Sequence, residues 1–75
     1  MTFKVQGVAS DGETFYADGS PNGKRFATVE DAISYAHDYA RTVGEVSCDP
    51  SPTPGCCFVA TKPDGYSERI RVIEA

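Results

Sequence analysis

The stretch TVEDAISYAHDYARTVG, Thr28 to Gly44, decides the architecture, because it carries the signals of a single amphipathic helix. Thr28 can cap the first turn, and Asp31 follows three residues later in a variant of the capping box. Glu30 and Asp31 place negative charge at the positive end of the helix dipole. Val29, Ala32, Ile33, Ala36, Ala40 and Val43 recur at helical spacing and form one apolar stripe. Gly44 comes next, where a left-handed glycine is expected to end the helix. Asp31, Ser34, Asp38, Arg41 and Thr42 take the opposite side. A stripe built mostly of alanine lets the helix approach its partner closely. With no second helical pattern in the chain, that partner is expected to be a sheet.

Outward from the helix, the chain reads as short strands. Phe3 and Val5 alternate with Thr2, Lys4 and Gln6, the pattern of a half-buried strand. Gly7 is expected to mark a bulge, because Val8 breaks the alternation. After the Ser10-Asp11-Gly12 turn, residues 13–18 form a second strand, with Phe15 and Ala17 on one side and Thr14 and Tyr16 on the other. A dense turn cluster, Asp18 to Gly23, leads to a short third strand, Lys24 to Ala27, that delivers Phe26 to the core. Beyond the helix, residues 45–55 read as a loop stiffened by Pro50, Pro52 and Pro54. Residues 56–61 and 66–73 are strands joined by the turn Lys62-Pro63-Asp64-Gly65. In the last strand Ile70 and Val72 alternate with Arg69 and Arg71. The expected fold is a single α+β domain over residues 1–75, in two layers. One helix packs on a mostly antiparallel sheet of four to five strands, in the order ββ(β)αββ.

Composition narrows the function. The net charge is −4 and the pI about 4.7, which disfavours unspecific adhesion to nucleic acid or anionic membrane. No segment approaches the ~20 apolar residues of a membrane span. The N-terminal residues lack a secretory hydrophobic region, so a cytoplasmic protein is expected. The odd set of cysteines, Cys48, Cys56 and Cys57, suggests reduced thiols, although Cys48 can reach Cys56 or Cys57 in an oxidising compartment. Of Cys56 and Cys57, adjacent on a strand, one is expected in the core and the other on the outer side. A metal site is not expected, since the one histidine, His37, lies far from the cysteines in sequence. With no phosphate loop and no nucleophile–base pair at a cleft, neither catalytic residues nor a cofactor are expected.

One helix covers one side of a sheet. Lys4, Gln6, Thr14, Tyr16, Arg69 and Arg71 are expected on the other side, provided that the register holds. Six of the seven basic residues lie in strands or turns, and Arg41 alone is on the helix. The domain is therefore expected to be polarised, acidic over the helix and more basic over the sheet. Ordinary solvation and edge protection explain such cations somewhat better, and the acidic turn residues Asp11, Glu13, Asp18 and Asp64 dilute the contrast. Tyr35 and Tyr39, four apart on the helix, form a second candidate surface, with Tyr39 beside the stripe and Tyr35 pointing further out, although tyrosines that seal the rim of a small core are the more ordinary reading.

Two families share part of this pattern. Lys24, Arg25, Phe26, Thr28, Glu30, Asp31 and Ala32 resemble the strand-to-helix phrase of the arm-type DNA-binding domain of tyrosine recombinases. That likeness implies DNA reading by the sheet, which the acidic balance opposes. Phe26, Thr28, Ala32, Ala36 and Ala40, with the late Asp64-Gly65, are similar to short bacterial ββαββ domains of unknown function. In size, acidity and lack of catalytic groups the chain also resembles phage-encoded inhibitors of host defence, anti-CRISPR proteins among them.

The leading expectation is a non-enzymatic module that docks on a larger protein through its sheet face or an edge strand, with Lys4, Tyr16, Arg69 and Arg71 as contacts and Tyr35 and Tyr39 as further ones. The alternative is a nucleic-acid-binding domain that adds Lys24, Arg25 and Lys62, with Tyr16 as a stacking platform. A homodimer formed through an edge strand or the bare sheet face is the third possibility.

Overall fold

A computed structural model describes residues 1–48 and 57–75. The expected proline-rich connection, the assignment of Cys56 to a strand and the pairing of the cysteines fall outside the described residues or side chains. Six elements follow in order: β1 (Phe3–Ala9), β2 (Thr14–Tyr16), α1 (Val29–Val43), β3 (Glu45–Cys48), β4 (Cys57–Thr61) and β5 (Ser67–Glu74). The strands form one antiparallel five-stranded sheet in the order β2-β1-β5-β4-β3, and α1 packs on one of its faces. This is the expected two-layer α+β architecture.

The helix starts as its sequence dictates. The backbone N–H of Asp31 donates to Thr28 Oγ1 at 3.2 Å, and Glu30 and Asp31 occupy the first turn. Ala32, Ala36 and Ala40 are fully buried, and Val29, Ile33 and Val43 pack beside them. Beneath lie Val5, Phe58, Ala60, Ile70 and Val72, with Phe26 closing one end. Methyl-sized helix residues bring the two layers together, so the core is filled by the larger strand residues.

The β1–β2 and β4–β5 hairpins close with the same chemistry. Gly12 N–H donates to the carbonyl of Ala9 and Ala9 N–H to Glu13; Gly65 N–H donates to Lys62 and Lys62 N–H to Tyr66. In each turn an aspartate carboxylate, Asp11 or Asp64, accepts the backbone N–H two residues on. Gly65, at φ 95°, supplies the left-handed residue that such a three-residue loop requires.

Four local expectations are corrected. Gly7 makes no bulge: Gly7 pairs with Phe15 on one side and Ile70 on the other in an unbroken register. The Phe15 ring fills the space that a Gly7 side chain would take, an ideal Cβ falling 2.4 Å from Phe15 Cζ. The segment Lys24 to Ala27 contributes a single bridge, Phe3 to Phe26, with reciprocal backbone hydrogen bonds of 3.0 and 2.8 Å. The fifth strand is instead Glu45–Cys48, the start of the expected loop, which pairs with the far edge of β4. Gly44 is extended, at φ 178°, and is not left-handed. Close approach explains the glycine there, because a Cβ would meet Thr61 O at 2.4 Å.

Candidate functional site

Register sorts the strand residues into two sets. Phe3, Val5, Gly7, Ala9, Phe15, Val46, Phe58, Ala60, Glu68, Ile70 and Val72 are in phase on the helix side, and all except Gly7, Ala9, Phe15 and Glu68 belong to the core cluster or pack on it. The outer face takes the alternate positions. Tyr16 opposes Gln6, which opposes Arg71; Thr14 opposes Val8, which opposes Arg69, which opposes Val59; Lys4 opposes Ile73. Lys4, Tyr16, Arg69 and Arg71 therefore share one face, as the alternation predicts. Val8, Val59 and Ile73 join them, half-buried. The expected bulge at Gly7 had hidden Val8. Carrying the alternation through the glycine places it with Lys4 and Gln6.

The electrostatics of this face differ from those of the whole chain. Among the described strand residues that project outward, Lys4, Arg69 and Arg71 stand against Glu45 alone. Across the molecule, Glu30, Asp31 and Asp38 are exposed on the helix, accompanied by Arg41. Among the described residues, the outer face of the sheet and the exposed side of the helix thus carry opposite local charge.

On the outer face, the Arg71 and Lys4 side chains are held in place. The Arg71 guanidinium donates from Nε and Nη2 to Gln6 Oε1 at 2.9 and 2.8 Å. Lys4 donates from Nζ to the carbonyl of Asn22 and lies 5.2 Å from the centre of the Tyr16 ring. Gly23 also lies against that ring, so Tyr16 is half-buried among its own neighbours. A surface recess of about 390 Å³ opens where the face meets the β2 edge, lined by Gln6, Thr14, Phe15, Tyr16 and the Gly19–Pro21 segment.

The other candidates lie elsewhere. Tyr35 and Tyr39 are on the helix layer and do not join the outer face. Contrary to expectation, Tyr35 does not point outward: its ring centre is 5.2 Å from that of Phe26. Tyr39 stands 6.2 Å from Phe15. Both seal the rim of the core beside a recess of about 250 Å³ shared with Asp38 and Thr42. Exposed His37 meets the Phe58 ring edge-on at 5.3 Å. Lys24 sits over Phe26, at the Phe3 end of the sheet, and Lys62 over Tyr66, at the opposite end. β1 alone spans roughly 20 Å between those ends at ~3.3 Å per residue. The structure therefore does not gather Lys24 and Arg25 with Lys62.

One residue that matters was passed over. Glu68 is only 8% exposed, on the helix side of β5. Its Oε1 accepts from Tyr39 Oη at 2.9 Å and its Oε2 from Tyr66 Oη at 2.6 Å. The clue was its phase, two residues before Ile70. The carboxylate stabilises both phenols in their protonated form. Burial, then the bond to Glu68, raises the Tyr39 phenol well above its ordinary value. The bond to Glu68, with desolvation and the nearby charges of Glu68, Asp11 and Glu13, pushes Tyr66 up to about 12. A raised phenol pKa favours the folded state fully below the ordinary value of about 10, and that contribution fades as the pH climbs through the folded value. Alkaline unfolding is accordingly expected to set in between pH 10 and about 12. Tyr39→Phe should lower stability by about 1–2 kcal/mol at neutral pH and flatten the alkaline loss, both read from urea titrations. Equal alkaline slopes in the two proteins would refute this role for Glu68.

Among the described residues no helix is long and apolar enough to cross a membrane. No family model, curated protein or solved structure matches the chain.

Proposed function

We propose that this domain is a non-enzymatic protein-interaction module that acts in the cytoplasm and docks on a larger protein through the outer face of its sheet. The observation that carries the reading is the composition of that face. It brings Lys4, Arg69, Arg71 and Tyr16 together with half-buried Val8, Val59 and Ile73. Apolar area interleaved with arginine and tyrosine is the mixture that protein interfaces favour. The separation of Lys24 and Arg25 from Lys62, and the Tyr16 ring already packed on Lys4 and Gly23, count against a nucleic-acid track. An inhibitor encoded by a phage or a bacterium is a role of this type.

The test is charge reversal. Arg69→Glu combined with Arg71→Glu should abolish capture of the partner from a native lysate while leaving the thermal transition in place. Undiminished capture would remove the outer face from the interaction. A gel shift at low salt that the same double variant abolishes would instead favour nucleic acid.

A further inference from the structure

The Arg71–Gln6 pair makes the reading more specific. An arginine has five N–H donors arranged in a fixed fork. Gln6 Oε1 takes one donor from Nε and one from Nη2. That contact uses one side of the guanidinium and leaves the Nη1/Nη2 edge with two parallel N–H groups, the geometry that grips a carboxylate bidentately. Holding a long, rotamer-rich side chain in one orientation beforehand removes part of the ordering cost of binding. Gln6 also lines the recess of about 390 Å³ at the β2 edge. The β2 side of the recess and Arg71 lie two strands apart, roughly 10 Å at ~4.8 Å per strand, which an extended peptide crosses in about three residues.

We infer that the occupant of the outer face is an acidic segment of a partner protein, with one carboxylate held by the Nη1/Nη2 edge of Arg71 and a neighbouring side chain seated in the recess. This rests on the protein-interaction reading above. Charge complementarity favours it: among the described strand residues of this face Lys4, Arg69 and Arg71 outnumber Glu45, in a chain of net charge −4. Half-buried Val8, Val59 and Ile73 between the cations suit a polypeptide better than a phosphate backbone, which is bound by a track of cations. Gln6 acts as a positioning residue, because it holds the guanidinium by the Nε/Nη2 edge, next to the edge that takes the ligand.

The probe is a pair of 12-residue peptides, one alternating Glu with Val and Tyr and the other carrying Gln for every Glu, with a 12-nucleotide single-stranded DNA beside them. Binding is followed by nuclear magnetic resonance of the Arg71 Nε–H and the β5 amides. The Glu peptide should move those signals and bind at least tenfold more tightly than the Gln peptide. Arg71→Lys, which keeps the charge but loses the fork, should weaken the Glu peptide about tenfold. Gln6→Ala should weaken it severalfold and speed exchange of the Arg71 Nε–H without altering the backbone spectrum. Gln6→Glu, which offers Arg71 an internal carboxylate, should weaken it further.

Equal affinity for both peptides, unchanged binding by Arg71→Lys, or no shift at Arg71 up to about 1 mM peptide would overturn the inference. Tighter binding of the DNA would overturn it in favour of nucleic acid, and concentration-dependent dimerisation blocked by Arg71→Glu in favour of a second copy. Loss of lysate capture in the double charge reversal, with no effect of Arg71→Lys, would defeat the carboxylate grip and leave the docking face intact.

Discussion

Alanine in place of Gly44 is expected to destabilise the domain by about 2–4 kcal/mol, in the upper tail of single substitutions. An ideal Cβ at this position falls 2.4 Å from Thr61 O, 2.7 Å from Thr61 C and 3.1 Å from Lys62 N. All three are backbone atoms of β4 and its turn, so no rotamer change relieves the overlap. Either the end of α1 lifts from the sheet or β3 loses its pairing with β4, in which Glu45 opposes Thr61. A domain of this size has only a few kcal/mol to lose, so much of the variant would be unfolded at 37 °C. Gly12→Ala is the control. A Cβ there meets nothing within 4 Å, and the change forces only a φ of 93°, at a cost of about 1 kcal/mol. Urea titrations separate the two, provided that the m-values agree. A smaller loss at Gly44 than at Gly12 would contradict the close approach.

Ala36→Leu tests the helix–sheet interface in the same way. Ala36 is fully buried, midway between Ala32 and Ala40, and the helix faces β5, β4 and β1 across that ridge. Leucine adds three carbons where the layers are nearest, and overpacking of this kind costs about 1–3 kcal/mol. The midpoint of thermal unfolding should fall by roughly 10–20 °C, given about 4–8 °C per kcal/mol in small domains. Ser34→Leu, on the exposed side of the helix, should leave it almost unchanged. A fall of less than about 3 °C at Ala36 would mean that the helix sits loosely enough to accept bulk, and the alanine stripe would lose its rationale.

These two sites differ in how readily the chain discloses them. The alanine ridge is legible from spacing alone, as are the Thr28 cap and the opposed sets Arg69/Arg71 and Ile70/Val72. Each depends on residues a few positions apart, and helical and strand periods are local properties of the backbone. The outer face was legible for the same reason. Once Val5 is inward, Lys4 and Gln6 must be outward, and a continuous ladder carries that phase from β1 to β2 and β5.

The misread elements were settled by distant partners. Glu45–Cys48 has a single core-facing side chain, Val46, among its described residues, and is a strand because β4 offers an unpaired edge. Lys24 to Ala27 carries as good a local signal, yet only Phe26 finds a bridging partner, in Phe3. Gly7 looked like a break until Phe15 across the ladder proved to fill its space. Glu68 carries no local signal beyond its phase, and its oxygens are satisfied by Tyr66, two residues away, and by Tyr39, on the helix.

Near neighbours along the chain therefore settle the helix, the strands of clear alternation and which side of each is apolar, since those are matters of backbone period. The strand order β2-β1-β5-β4-β3, the tight contact of Gly44 with Thr61 and the meeting of Gln6 with Arg71 depend on pairings beyond the reach of local periodicity, the last across 65 residues. No local propensity encodes such pairs. They come into being when the sheet closes beneath the helix and each edge, cavity and hydrogen-bonding group takes whichever partner the packing brings to it.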